Sequence, residues 1–169
     1  DAVDWLLVEL RDTTQASLAT SQTIVAQKAG FLLRDGSVVD TNGISPMNFA
    51  GVSIQNSLFV VVWHRNALGV MSADPLSETG GTYYYDFTNN MVKAYGGIVG
   101  HKEISPGIWG MTGADGNADG QINNTDKNVV WVQEAGLSGY LAADFNLDGQ
   151  VNNNDKNELW VPNSGSGGQ

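Results

Sequence analysis

The same unusual stretch occurs twice in this chain. Residues 114–132, ADGNADGQINNTDKNVVWV, align without a gap on residues 143–161, ADFNLDGQVNNNDKNELWV, at an offset of 29, and 13 of the 19 positions are identical. Counting from Asp115, oxygen-bearing side chains fall at positions 1, 3, 5, 9 and 12 (Asp115, Asn117, Asp119, Asn123, Asp126), with Gly120 at position 6. Counting from Asp144, they fall at Asp144, Asn146, Asp148, Asn152 and Asp155, with Gly149 at position 6. No helical pattern precedes Asp115. Carboxylates set so close repel one another unless a cation lies between them.

The spacing is that of a calcium loop. Hard oxygens converge from alternate residues, glycine makes the sharp turn, position 7 (Gln121, Gln150) offers its backbone carbonyl, and position 12 closes the shell. Calcium accepts irregular cages of six to eight oxygens, whereas magnesium keeps its waters, so two all-protein cages point to two calcium ions. Neither loop contains Cys or His, which disfavours zinc and copper. Position 8 is Ile122 in one copy and Val151 in the other. Both are expected to be buried, pairing across the two loops in a short antiparallel contact. A helix is expected after each position 12, carrying Trp131 and Trp160 as equivalent core anchors, with Pro162 ending the second.

Charge bears on partners. The chain has 8 Lys and Arg against 18 Asp and Glu, a net charge of −10, which repels phosphate backbones and argues against nucleic acid or an anionic membrane surface. Six of the acids are the loop aspartates, so two divalent cations would bring −10 to −6. No cysteine is present, which excludes disulfides, thiolate zinc sites and cysteine nucleophiles. The longest apolar run, LFVVVW at 58–63, is too short to cross a bilayer, and DAVDWLLVELRD lacks the marks of a signal peptide. The partners expected are a polysaccharide or another surface protein, met by a monomer, without membrane insertion.

Upstream of the repeat the chain reads as strands. WLLVELRD (5–12), IVAQ (24–27), MNFAGVSI (47–54), LFVVVWHR (58–65), ALGVMSA (67–73) and TYYYDF (82–87) are rich in β-formers, and AGFLLRDGSVVD (29–40) places Asp35-Gly36 as a type I′ hairpin turn. Short strands separated by turn signals predict an antiparallel β-sandwich over 1–95. Residues 96–113 read as a connector packed through Trp109 and Met111, 114–162 as the calcium module, and 163–169, NSGSGGQ, as a disordered Gly/Ser tail.

The two loops resemble the type I dockerin repeat, whose pattern is Asp-x-Asn-x-Asp-Gly-x-Ile/Val-Asn-x-x-Asp followed by a helix, duplicated. The match covers residues 115–132 and 144–161. That resemblance implies a calcium-folded, non-catalytic module that docks onto a cohesin in secreted assemblies. Positions 10 and 11, Asn124-Thr125 and Asn153-Asn154, depart from the Ser-Thr-like pairs usual in cohesin-binding members. The upstream half is similar to a β-sandwich that precedes such repeats near the C-termini of large secreted bacterial surface proteins, many of them adhesins or polysaccharide-degrading enzymes. The expected fold is therefore mainly β with a small α part: an Ig-like or carbohydrate-module-like sandwich followed by a dockerin-like pair of calcium loop-helix motifs.

No catalytic set emerges. His64 stands at a strand end without a serine elbow or carboxylate pair, and His101 reads as a solvated surface residue. Tyr83, Tyr84 and Tyr85, with Phe87, would suit a sugar-stacking face, against a competing reading as half-buried core. The expected function is that of a secreted or cell-surface, non-enzymatic, calcium-stabilised structural or adhesive module; carbohydrate binding and cohesin docking are the alternatives.

Overall fold

The computed structural model describes residues 1–168; Gln169, the last residue of the predicted disordered tail, lies outside the described residues. The fold is mainly β, built from antiparallel sheets, with two short helical segments near the end. A five-stranded sheet has the order β3-β2-β1-β4-β5, formed by β1 (Ala2–Thr13), β2 (Ile24–Leu33), β3 (Val38–Val39), β4 (Ser57–His64) and β5 (Ala67–Met71). Two small hairpins follow: β6 (Ser77–Thr79) with β7 (Thr82–Tyr84), and β8 (His101–Ser105) with β9 (Ile108–Met111).

β1 and β4 form the centre of the sheet, and both faces are occupied there. Leu6, Val8, Leu10, Leu58, Val60, Val62 and Val70 make the core on one face. Phe59, Val61 and Met71 are buried on the other, under Ala16 and Ala19. A strand covered on both faces reads as an unbroken apolar run, which accounts for LFVVVW. The layer over the first face is irregular chain carrying Met47, Phe49 and Ile54, with Leu76, Tyr85, Phe87 and Met111 from around the hairpins. MNFAGVSI is therefore core-forming without being a strand. IVAQ and GFLL, separate runs in the sequence, belong to the single strand β2.

The Asp35-Gly36 hairpin forms, by a different turn. Gly36 has φ +85° while Asp35 is not left-handed, and Gly36 N–H bonds the Leu33 carbonyl at 2.9 Å. That is a type I turn closed by a left-handed glycine, not the type I′ turn that the dipeptide suggests. The predicted connector also contains more order than expected, namely the β8–β9 hairpin. His101 is 1% exposed, its Nε2 3.0 Å from the Phe87 carbonyl and its ring 5.3 Å from that of Trp109, so it is a core residue rather than a solvated one. The rings of Phe87 and Trp109 both lie against it.

The turn between β4 and β5 joins the sheet to the repeat. Asn66 is buried; its carbonyl accepts the Ala114 N–H at 2.8 Å, and its amide donates to the carbonyls of Asp144 (2.7 Å) and Ala142 (3.2 Å). Leu68, just beyond, is fully buried in a second core with Ala114, Ile122, Ala143, Phe145 and Val151. The sheet thus contributes a side chain to the interior of the repeat.

Candidate metal centre

The two loops share one backbone path. Position 6 is Gly120 and Gly149, both at φ +83°, and position 4 is left-handed in both copies, Ala118 at +56° and Leu147 at +62°. A left-handed non-glycine residue costs roughly 1 kcal/mol, so the same strain held twice marks a conformation that the loop requires. Position 2 differs for a packing reason: a Cβ on Gly116 would come 3.1 Å from the ring of Phe145, its own counterpart in the second copy.

The position 12 aspartates are the hubs. Asp126 is 0% exposed and accepts the amides of Asn123 (2.7 Å) and Asn117 (3.3 Å). Asp155, also 0% exposed, accepts those of Asn152 (2.8 Å), Phe145 (2.8 Å) and Asn146 (3.2 Å). At position 1, Asp115 accepts from Asp119 N (3.1 Å) and Gly120 N (3.0 Å), and Asp144 from Asp148 N and Gly149 N, both at 3.0 Å. At position 5, Asp119 and Asp148 accept the amides of Gln121 and Gln150 at 2.9 Å and the side-chain amides of Asn117 and Asn146 at 2.8 and 3.1 Å. Position 9, Asn123 and Asn152, makes a turn just before the helix, its side-chain oxygen accepting the amides of Thr125 and Asn154, each at 2.7 Å.

Four of these carboxylates (Asp115, Asp126, Asp144, Asp155) are buried, and none forms an ion pair with a Lys, Arg or His among the described residues. Burial pushes Asp115 above the ordinary carboxylate value; amide hydrogen bonds from Gly120 and Asp119 oppose this, and the charges of Asp126 and Asp119 reinforce it. Burial likewise raises Asp144, opposed by the amides of Gly149 and Asp148 and reinforced by Asp155. Uncompensated buried charge of this kind costs several kcal/mol, and a divalent cation relieves it. The carbonyls of Gln121 and Gln150 accept no hydrogen bond among the described residues, as a position 7 ligand requires. Among the described residues no three of His, Asp and Glu converge into a ready-made cage; the donor set combines carboxylates with Asn amides and backbone carbonyls, the mixture calcium accepts.

Each loop is braced by the opposite repeat. The helix α1 (Asp126–Trp131, continued as Val132–Glu134) and the helix α2 (Asp155–Trp160, continued as Val161–Asn163) both begin at position 12 with a wide π-type turn. Pro162 sits inside the last turn of α2, which ends at Asn163 rather than at the proline. Trp131 donates its indole N–H to the Asn152 carbonyl (3.0 Å) and Trp160 to that of Asn123 (2.8 Å). Lys156 and Lys127 lie over those same rings, each 4.7 Å from the centroid.

Ile122 and Val151 are buried together as expected, but their backbones do not pair with each other. Val151 pairs with Gly136 and Leu137, the segment after α1, while Ile122 pairs with Gly165 and Ser166, the segment after α2. The bonds match one for one: Gly136 N to Val151 O at 2.8 Å and Gly165 N to Ile122 O at 2.7 Å; Gly139 N to Gly149 O at 2.9 Å and Gly168 N to Gly120 O at 2.8 Å. Within residues 163–169, read from composition as a disordered tail, Gly165, Ser166 and Gly168 are therefore hydrogen-bonded to the first loop. The missed signal was the recurrence of Gly136 and Gly139 as Gly165 and Gly168 at the same offset of 29.

The tyrosines do not form one face. Tyr84 is exposed and lines a shallow groove with Asp74, Ser77, Asp86 and Lys93, and Tyr83 is its neighbour on β7, so the two point to opposite sides. Tyr85 is half-buried; its hydroxyl donates to the Lys93 carbonyl (2.6 Å) and accepts from Ala73 N (3.1 Å). Tyr85 thus anchors the core. Comparison with protein-family models, with curated proteins and with solved structures gave no match for this chain.

Proposed function

We propose that this chain is a non-catalytic, calcium-stabilised structural or adhesive module of a larger secreted or cell-surface bacterial protein, its last third acting as a dockerin-like calcium repeat. The observation that carries the reading is the pair of superposable loops, with buried aspartates that lack a cationic partner among the described residues and the same left-handed backbone at positions 4 and 6, strained at position 4. Asp115, Asn117, Asp119, Gln121, Asn123 and Asp126 would hold one ion, and Asp144, Asn146, Asp148, Gln150, Asn152 and Asp155 the other. The metal supplies folding energy by neutralising carboxylates that burial has stripped of water.

The cores of sheet and repeat are tied through Asn66 and Leu68, which supports a permanently loaded structural site over a switch. Among the described residues no helix is long and apolar enough to cross a membrane. A docking reading is supported by the exposure of positions 10 and 11 in both copies and of Val132 and Val161, which the repeat relates to each other. Metal analysis after gel filtration tests the main reading. Two calcium ions per chain are expected, and a chain that elutes metal-free from calcium buffer contradicts it.

A further inference from the structure

We propose that the open half of the second sheet face is a binding groove for a neutral saccharide, completed by a tyrosine from the calcium repeat. Ala16 and Ala19 cover this face over Phe59, Val61 and Met71. Toward the start of β1 it lies open: Trp5 is 46% exposed, and Val3 and Leu7 are exposed beside it. Trp5 packs on Phe31, its direct partner on β2, with ring centroids 4.0 Å apart. Trp63 stands opposite Leu7 on β4 and leans over Gly69, where any Cβ would come within 2.4 Å of its ring. Glycine at that position is what lets the indole lie against β5.

The far wall is Tyr140, from the segment between the two calcium loops. It is 68% exposed yet held on two sides: its hydroxyl donates to Asp4 at 2.7 Å, and the Arg65 guanidinium lies 4.2 Å from its ring centroid. Asp4 is buried and also receives Arg65 Nε at 2.9 Å, with His64 Nε2 3.1 Å away. Arg65 further donates to the Leu141 carbonyl. Trp5, Leu7, Trp63 and Tyr140, with Ala29 opposite Leu7 on β2, line a depression of about 270 Å³.

The shape and chemistry of this depression choose the occupant. A peptide adding as a strand needs a sheet edge, and β1 and β4 are interior strands. The indole N–H groups of Trp5 and Trp63 make no hydrogen bond among the described residues, unlike those of Trp131 and Trp160. Aromatic faces bordered by unused donors suit a ligand with apolar faces and a rim of hydroxyls, which is a pyranose. A net charge of −10 disfavours acidic glycans, leaving neutral ones.

Calcium dependence follows from position and rests on the proposed function. Tyr140 is four residues before Asp144, and Arg65 and Asn66 hold the carbonyls of Leu141, Ala142 and Asp144, so the wall and the second loop hang on one stretch of backbone, and a loop ordered by its ion keeps that stretch in register.

The test is affinity electrophoresis of the full chain through gels containing xylan, galactomannan, mixed-linkage β-glucan or alginate, in calcium and in chelator, with calcium calorimetry on the same samples. Retardation by at least one of the three neutral polymers and none by alginate is expected. Trp5→Ala, or Ala29→Arg should that variant fail to fold, weakens it at least tenfold, while Tyr84→Ala leaves it unchanged. No retardation by any neutral polymer overturns the proposal, as does retardation unaltered in Trp5→Ala. A concentration-dependent dimer in sedimentation that Trp5→Ala abolishes also overturns it, making the face an interface between copies. Two bound calcium ions without retardation refute the groove alone. Retardation that survives chelation refutes the calcium dependence, and absence of calcium heat refutes the reading on which that dependence rests.

Discussion

The two acidic loops carry nearly the same side chains but are held in place differently. The second loop is braced from within the chain, by the segment 136–139 and by the Asn66 amide on the Asp144 carbonyl. The first is braced by residues 165–168, the last segment described, and receives from Asn66 only a carbonyl, at Ala114 N. Equal ligand sets therefore need not give equal sites: affinity depends on what fixes the cage before the metal arrives, because loop ordering is subtracted from the binding energy.

Breaking a hub should have the largest effect. Asp155→Ala removes a buried acceptor of three amides and should destabilise the calcium-loaded protein by about 3–5 kcal/mol, with calorimetry reading one ion instead of two. Asp126→Ala should do the same at the other site, and loss of both ions from either change would show that the sites fill only together. Next in size, deleting residues 164–169 removes the amides that pair with Ile122 and Gly120 and should cost about 2–3 kcal/mol. Calcium titration should show the first site weakened and the second intact; equal weakening would mean the braces are not independent.

Asn66→Ala sharpens the comparison from the other side. It leaves two carbonyls near the second loop without a donor, for about 1–3 kcal/mol, and should weaken the second site more than the first. The smallest effect expected is on acidification. Burial raises the Asp4 carboxyl, but hydrogen bonds from Tyr140, the Trp5 amide and Arg65 outweigh it and hold the group below its ordinary value of 3.8. Burial lowers His64 below 6.5 despite the nearby Asp4 charge. In both cases the unfolded chain takes up the proton first, so stability is lost as pH falls, from about 6.5 for His64 and from about 3.8 for Asp4. Melting across that range should lose part of its acid slope in Asp4→Asn, and an unchanged slope would contradict the assignment.

What the sequence disclosed follows from how local each feature is. Alternating Asp and Asn with a glycine at position 6 encode the loop path through neighbouring residues alone, so that path was legible, as were Ile122 and Val151 as buried residues and the two tryptophans as half-buried anchors. Partners were not legible, because they are set by tertiary contact. Ile122 and Val151 looked suited to each other, yet each pairs with a glycine segment that composition alone presents as linker. MNFAGVSI has strand composition but fills the core as irregular chain, since burial on a sheet face demands apolar side chains whatever the backbone does. His101 looked solvated because nothing local to it shows that Phe87 and Trp109 close over it. The aromatic groove was hidden for the same reason: Trp5, Trp63 and Tyr140 are brought together by β-pairing and by the Asp4 hydrogen bond across 136 residues of sequence.

Calcium as the ion that folds the repeat is the centre of this account, and thermal melting in calcium against excess chelator, paired with a calcium titration, tests it most directly. Two ions per chain and a melting temperature at least about 10 °C higher in calcium are expected, given two sites held far above their dissociation constants. Identical melting curves in calcium and in chelator, with no heat of binding, would contradict it.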